Sequence, residues 1–121
     1  MAKKILVVDD SAVIRQVEET VLKKAGYEVA SASGGKDGVA QISATTFNLI
    51  LTDLNMPDLD GVSLIKLARA SSLNRLTPIV MITTESKDTK KQEGKAAGAT
   101  AWVVKPFTSE QLLSVAKRII G

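Results

Sequence analysis

Short strand-like runs alternate with stretches of helical periodicity along the whole chain, and this alternation limits the folds open to it. Two of the runs, at 5–8 and 79–82, contain only apolar side chains. Such runs are typical of strands that are buried on both faces of a parallel sheet. Three further strands are predicted at 27–32, 47–53 and 99–104.

Helical patterns fill the intervals between these strands. Helices are predicted at 11–25, 38–42, 62–68, 88–97 and 108–120. In the first of them Ser11 can cap the amino end, and apolar residues recur at helical spacing at Val13, Ile14, Val17, Val21, Leu22 and Ala25. We therefore expect these six side chains to form the buried stripe of the first helix.

The last two helices differ in predicted strength. Thr108 and Gln111 form a capping-box pattern at the start of the last helix. The stretch at 88–97 has no aliphatic side chain larger than alanine and contains Gly94, which costs about 1 kcal/mol relative to alanine in a helix interior. We expect the helix at 88–97 to be marginal and mobile.

This order of elements predicts an α/β fold. Right-handed crossovers require a doubly wound, five-stranded parallel sheet with five helices on its two faces, which is the flavodoxin-like class. At 121 residues the chain fits one domain, 1–121. In such sheets ligands bind at the carboxyl ends of the strands.

Chemically capable residues follow four of the predicted strands. Asp9 and Asp10 follow the first strand, and Asp53 ends the third. Thr83 follows the fourth strand and Lys105 follows the fifth. Each residue alone could cap a turn or a helix, but that explanation does not account for all of them at one edge of a sheet.

The acidic residues of this edge predict a cation. With the strand order 2-1-3-4-5, the first and third strands are neighbours, so Asp9, Asp10 and Asp53 converge. Two unit charges about 4 Å apart repel by about 4 kcal/mol at an effective dielectric constant of 20. Oxygen ligands that leave room for water and phosphate suit Mg²⁺. Flanked by a metal and a lysine, Asp53 could act as a nucleophile toward phosphorus.

Composition excludes several kinds of chemistry. The chain has no Cys and no His, so thiolate chemistry, disulfides and phosphohistidine on this chain are excluded. The net charge is +3, but the basic residues are scattered among 13 acidic residues and there are only four aromatic residues. We therefore expect no nucleic-acid binding. No apolar run reaches bilayer length and no signal peptide precedes the first strand, so we expect a cytoplasmic protein that binds no membrane.

These motifs together resemble the receiver domains of bacterial response regulators. The matching residues are Asp9-Asp10, Asp53 in the stretch DLNMPDLDG, Thr83, and Lys105-Pro106-Phe107. Over nearly its full length the chain is similar to stand-alone, CheY-like receivers of the chemotaxis type. The resemblance implies a signalling switch of a two-component system that catalyses its own phosphorylation and dephosphorylation without being a turnover enzyme.

The resemblance also assigns roles to residues. It implies that a sensor histidine kinase donates a phosphoryl group to Asp53, with Mg²⁺ held by Asp10, Asp53 and the backbone carbonyl of Asn55. Asp9 would assist through water. Lys105 and Thr83 would bind the phosphoryl oxygens, and the Lys105-Pro106 bond is expected to be cis.

The remaining implied roles concern signalling. Thr83 would form one half of a conformational switch, and Trp102 stands at the position of the aromatic half, although it could instead be a half-buried indole of the output surface. Asn55 and Glu85 occupy the two positions that tune the lifetime of the phosphoryl group in this family. We expect a monomer that signals through the fourth helix, fifth strand and fifth helix.

Several partners and functions stay open at this point. The downstream target could be a flagellar switch protein, and a phosphatase is a further candidate partner. Alternatives within the family are a phosphorelay intermediate and an allosteric partner of a kinase. From other classes, a flavodoxin-like FMN-binding protein and a phosphatase of the haloacid dehalogenase type are alternatives. Asp9 and Asp10 would repel a flavin phosphate that lacks a metal, and the D-x-D pattern of the phosphatase is absent from the first strand.

Overall fold

The computed structural model of the chain describes residues 2–84 and 88–121, and its strands and helices alternate as predicted. The strands are β1 Lys4–Val8, β2 Glu28–Ala32, β3 Leu49–Asp53, β4 Ile79–Thr83 and β5 Ala101–Val104. The helices are α1 Ala12–Lys24, α2 Gly35–Ala44, α3 Gly61–Ala70, α4 Asp88–Ala97 and α5 Ser109–Ile120. Glu85 falls outside the described residues.

One parallel sheet organises the molecule. Its strand order is β2-β1-β3-β4-β5, and every pair of neighbours is parallel. This confirms the predicted doubly wound architecture. Because β1 and β3 are adjacent, with Val8 opposite Thr52, the residues that follow β1 lie beside the end of β3.

Alternate residues of each strand feed two separate cores. Ile5 and Val7 pack with Leu112 of α5 and Leu22 of α1 on one face of the sheet. On the other face, Leu6 and Val8 pack with residues of α2 and α3. All these strand side chains are buried. This confirms that the apolar run at 5–8 is a strand buried on both faces of the sheet.

The first helix turns a different face to the core than its pattern predicts. Val13 and Val17 are 70% and 43% exposed, whereas Glu18 is only 2% exposed. Ala25 is exposed as well, so the expectation that both valines and Ala25 belong to the buried stripe is wrong. The buried residues of α1 are Glu18 and Leu22, and Ile14, four residues before Glu18, is half-buried. A carboxylic acid thus occupies a buried position of this helix.

The helix α2 is longer than predicted and begins at Gly35 instead of Gly38. Asp58, which lies in the loop after β3, accepts hydrogen bonds from the backbone amides of Gly35 and Lys36. The predicted helix at 38–42 left both glycines, at 34 and 35, outside it. A residue distant in sequence stabilises the extra turn, so no local signal could predict it.

The glycine of α4 has a packing role. Gly94 is buried, and a Cβ atom at this position would overlap the sulfur of Met81 in β4. The same position faces the indole ring of Trp102. The weak helical propensity of this residue is thus offset by a close approach of α4 to the sheet.

The helix caps predicted at the sequence level are present. The Ser11 hydroxyl accepts a hydrogen bond from the Ile14 amide at 3.3 Å. Thr108 and Gln111 form both bonds of a capping box. Among residues 2–84 and 88–121, no helix has the length and apolarity that a bilayer crossing requires.

A buried asparagine joins the loops at the amino edge of the sheet. Asn74 is completely buried, and its amide nitrogen donates to the carbonyls of Ile42 and Thr45, each at 2.7 Å. Its Oδ1 atom accepts from the Phe47 amide and the Thr77 hydroxyl. All of its bonding capacity is therefore used within the fold.

An arginine extends this network to α4. The Arg69 guanidinium donates to the carbonyl of Thr77 at 2.7 Å and to that of Gly98, which follows α4, at 2.7 Å. Burial lowers the pKa of Arg69 below its ordinary value. Asn74 and Arg69 together connect α2, α3 and the carboxyl end of α4.

We predict that Asn74→Ala lowers the free energy of unfolding by about 3 kcal/mol, because several buried polar groups lose their partners at once. Urea denaturation followed by circular dichroism measures this change. Asn48→Ala is the matched control, since Asn48 is exposed and its Oδ1 accepts one bond, from the Lys4 amide. Equal losses in the two variants would contradict the role given to Asn74.

Candidate functional site

The two acids after β1 differ in environment. Asp9 is 1% exposed, and its Oδ1 atom accepts a hydrogen bond from the Ser11 amide at 2.9 Å. Its backbone carbonyl accepts from the Arg15 guanidinium at 2.6 Å. Asp10 is exposed. Asp9 is thus held in one orientation, whereas the carboxylate of Asp10 can adjust to a ligand.

Lys105 connects the ends of β1, β3 and β5. Its ammonium group donates to Asp9 Oδ2 at 2.8 Å and to Asp53 Oδ2 at 3.3 Å. Burial alone would lower the pKa of Lys105, but the bond to Asp9 and the charges of both acids raise it above the ordinary value. Lys105 therefore stays charged and offsets part of the carboxylate repulsion.

Asp53 is the last residue of β3 and is 8% exposed. Its Oδ1 atom accepts a hydrogen bond from the Leu54 amide at 2.8 Å, while Oδ2 faces Lys105. Burial raises the pKa of the Asp53 carboxyl, and the Lys105 ammonium acts in the opposite direction. The two bonds fix the carboxylate plane at the edge of the sheet.

The predicted hydroxyl lies at the same edge. Thr83 is the last residue of β4, is completely buried, and pairs in register with Val104. The Lys105 amide donates to the Thr83 carbonyl at 2.8 Å, and the Lys105-Pro106 peptide bond is cis, as expected. Thr83 and Lys105 are thus neighbours on adjacent strands.

Two of the predicted signalling residues, Trp102 and Asn55, lie within the described part of the chain. Trp102 of β5 is half-buried and pairs in register with Met81. Within the described part of the chain, its indole Nε1 is buried without a hydrogen-bond partner. Asn55 is exposed in the loop after β3. Glu85, predicted to tune the phosphoryl lifetime, lies outside the described residues.

The acidic cluster fits a divalent cation. Carboxylate oxygens of Asp9, Asp10 and Asp53 all lie within 4.8 Å of one another. Oxygen donors of this kind are preferred by hard ions such as Mg²⁺. Because Asp10 is exposed, the cluster is open toward solvent, which leaves positions for water or a phosphate oxygen.

One buried acid that the sequence did not single out, Glu18 of α1, interacts electrostatically with this cluster. Burial raises the pKa of Glu18 to about 8, and the negative charge of Asp9 acts in the same direction. Lys105 lowers this pKa and Asp53 raises it, so Glu18 senses the charges of the site. The sequence signal that could have indicated its burial is its position four residues from both Ile14 and Leu22, on the same side of the helix.

The model of the family described as the response regulator receiver domain matches residues 5–117. The chemotaxis protein CheY4 of Vibrio cholerae is 45% identical in sequence, and its two solved structures superpose with TM-scores of 0.95 and 0.94 over 98% of this chain and 99% of their own. The protein PilG of Pseudomonas aeruginosa is 38% identical over 94% of this chain and 84% of its own length.

A further solved structure bears on the acidic cluster. The receiver domain of a Pseudomonas aeruginosa sensor histidine kinase is 30% identical and superposes with a TM-score of 0.91 over 100% of this chain and 99% of its own. That domain was solved with a magnesium ion coordinated in its active-site cleft. Similarity in sequence and in fold therefore points to one family.

We predict that Glu18→Gln stabilises the protein more at pH 8 than at pH 5. The folded pKa of Glu18 is about 8 and its ordinary value is 4.5, so between these values the unfolded chain is ionised while the folded chain holds the proton. Within this window the free energy of unfolding of the parent protein falls by about 1.4 kcal/mol for each unit by which the pH rises.

Urea denaturation in metal-free buffer at both pH values measures the effect, with a difference of about 2 to 4 kcal/mol expected. Glu28→Gln is the control, because Glu28 is exposed. A gain for Glu18→Gln that is the same at pH 5 and pH 8 would show that the carboxyl is not kept protonated by the fold.

Proposed function

This chain belongs to the response regulator receiver domain family, and on that premise we propose that it is a phosphorylation-activated switch whose phosphoryl acceptor is Asp53. One observation carries the proposal. Lys105 bridges Asp53 and Asp9 at the carboxyl edge of the sheet, with Asp10 within reach of both acids. The candidate nucleophile Asp53, the ammonium group of Lys105 and the acids that could bind a metal thus lie close together.

The chemistry needs no general base, since an ionised carboxylate is itself a nucleophile. A carboxylate oxygen of Asp53 forms a bond to phosphorus, and the bond from phosphorus to the imidazole nitrogen of a phosphohistidine breaks. The electron pair leaves with the imidazole of the kinase. Lys105 is placed to pair with the transferred phosphoryl oxygens by charge-assisted hydrogen bonds.

Asp10, Asp53 and the backbone carbonyl of Asn55 would hold Mg²⁺, with Asp9 acting through water. A bound divalent cation supplies positive charge for the phosphoryl oxygens and offsets the repulsion of the acids. The orientation of Asp9 is fixed by the Ser11 amide and Lys105, so its role is to shape the site. The Pseudomonas aeruginosa receiver domain that was solved with a magnesium ion in its active-site cleft supports a magnesium site at this edge.

Signal output would begin at Thr83. Shifting a two-state equilibrium from mostly inactive to mostly active takes about 5.5 kcal/mol, and charge-assisted bonds to the phosphoryl group supply roughly 1.5 to 3 kcal/mol each. Bonds from Lys105 and Thr83 together barely reach that value. We therefore propose that a bound target completes the change, through a face formed by α4, β5 and α5 that includes Trp102.

A sensor histidine kinase would be the phosphoryl donor, and the similarity to CheY4 of Vibrio cholerae favours a role in chemotaxis. A flagellar switch protein is the target that such a role implies, and a phosphatase would be a further partner. We propose that the chain turns over no separate substrate and so is not an enzyme in that sense. The monomeric state and the cytoplasmic location stay predictions, as do the lifetime roles of Asn55 and Glu85.

We predict a Mg²⁺-dependent change in Trp102 fluorescence when a small acyl phosphate is added. Trp102 is the only tryptophan and stands opposite Met81, two residues before the proposed switch residue Thr83, so its environment should report the change. Intact mass spectrometry should show one added phosphoryl group. The control, Asp53→Asn, removes the nucleophile and should lose both signals. A parent protein that gains no phosphoryl group in Mg²⁺ would refute the proposed function.

The chemotaxis role makes a separate prediction. With beryllofluoride as a phosphoryl analogue, the protein should retain a flagellar switch protein in a pull-down, because the analogue stabilises the active state. Asp53→Asn, which cannot hold the analogue, should retain none. Retention of phosphotransfer proteins alone would favour the role of a phosphorelay intermediate.

A further inference from the structure

The loop between β3 and α3, residues 54–60, is tied to a helix that lies outside the proposed site. Asp58 Oδ1 accepts a hydrogen bond from the Gly35 amide, and Oδ2 accepts one from the Lys36 amide, both at 3.0 Å. These are the first backbone amides of α2. One carboxylate therefore joins the loop beside Asp53 to the start of α2.

The start of α2 depends on this contact. The first amides of a helix have no partner within the helix, and a side chain before the helix commonly satisfies them. Gly34 occupies that capping position and makes no side-chain bond. The Lys36 amide, together with that of Gly35, lowers the pKa of Asp58, so its carboxylate is charged at neutral pH and complements the helix dipole.

The backbone packing around this contact is equally close. A Cβ atom at position 35 would overlap the carbonyl oxygen of Leu59, and one at position 34 would lie 2.9 Å from Asp58 Oδ1. At position 35 the opposing atoms include the loop backbone, so the absence of a side chain at Gly35 allows the loop to approach α2 so closely. The two glycines thus pack closely against the loop at residues 58 and 59.

The other end of the loop is fixed to α3. Asp60 Oδ1 accepts a hydrogen bond from the Ser63 amide at 2.7 Å, and the Gly61 amide donates to the Leu54 carbonyl at 2.7 Å. Met56 is 7% exposed and contributes to a core. Asn55 is exposed between these anchors, so the position of its backbone depends on all of them.

We propose that Asp58 is a positioning residue for the metal site: its bonds to α2 hold the loop in the conformation from which the backbone carbonyl of Asn55 serves the cation. The inference rests on the proposed function. Without the bonds to α2, cation binding must order the loop, and the free energy spent on ordering weakens binding. The chemical step at Asp53 is left unchanged.

Asp58→Ala tests this role, with Asp37→Ala as the matched control. Asp37 is also an exposed acid at the start of α2, and its carboxylate accepts one bond, from the Ser33 amide at 3.2 Å. The control removes the same charge from the same helix end and leaves the loop contact intact. Asp58→Asn keeps one acceptor oxygen and should recover part of any loss.

Isothermal titration with Mg²⁺ alone should show an affinity about 3- to 10-fold lower for Asp58→Ala and near the parent value for Asp37→Ala. Phosphorylation by a small acyl phosphate should be slowed at low Mg²⁺ and restored at saturating Mg²⁺. A general loss of stability would slow phosphorylation at low and at saturating Mg²⁺ alike.

The outcomes separate the two proposals. If the parent binds Mg²⁺ and accepts a phosphoryl group, but Asp58→Ala binds Mg²⁺ equally well, the positioning role is wrong and the proposed function stands. A loss of affinity shared by Asp37→Ala would also overturn the positioning role. If the parent binds no Mg²⁺, both proposals fail together.

Discussion

Three carboxylates and one ammonium group meet at the carboxyl edge of the sheet, and their electrostatics govern what the surrounding structure must do. Lys105 compensates the two buried acids, Asp9 and Asp53, and the third, Asp10, faces solvent. Compensation is incomplete because one positive charge faces three acids. The edge is consequently prepared to receive further positive charge, or to release Lys105 toward an incoming anion.

The groups at this edge are fixed by backbone geometry more than by their own contacts. The parallel register of β1, β3, β4 and β5 brings Asp9, Asp53, Thr83 and Lys105 together. These residues are far apart in sequence, and none would find the others in a chain without this strand order. Once the sheet forms, the site needs few additional interactions, chiefly the bonds that orient Asp9 and the loop after β3.

The sequence predicted the sheet and its functional edge because both depend on patterns that are local. Apolar runs end on Asp9, Asp53 and Thr83, and a short run with a chemical end group is readable without tertiary information. The features that the sequence did not predict depend on tertiary contacts. The buried acid Glu18 and the early start of α2 at Gly35 both depend on residues that arrive from elsewhere in the fold, and helical periodicity alone cannot distinguish Val17 from Glu18 as the inward position.

Gly94 carries a consequence for how this chain can change. In an isolated helix, alanine at this position would be preferred, yet Met81 occupies the space that a methyl group would need. Local preference and global packing are therefore in conflict at this residue, a case of frustration within an otherwise consistent fold. A side chain at this position of α4 would require the flexible end of the Met81 side chain on β4 to repack, so any gain in helix propensity at α4 is coupled to the packing of the strand beneath it.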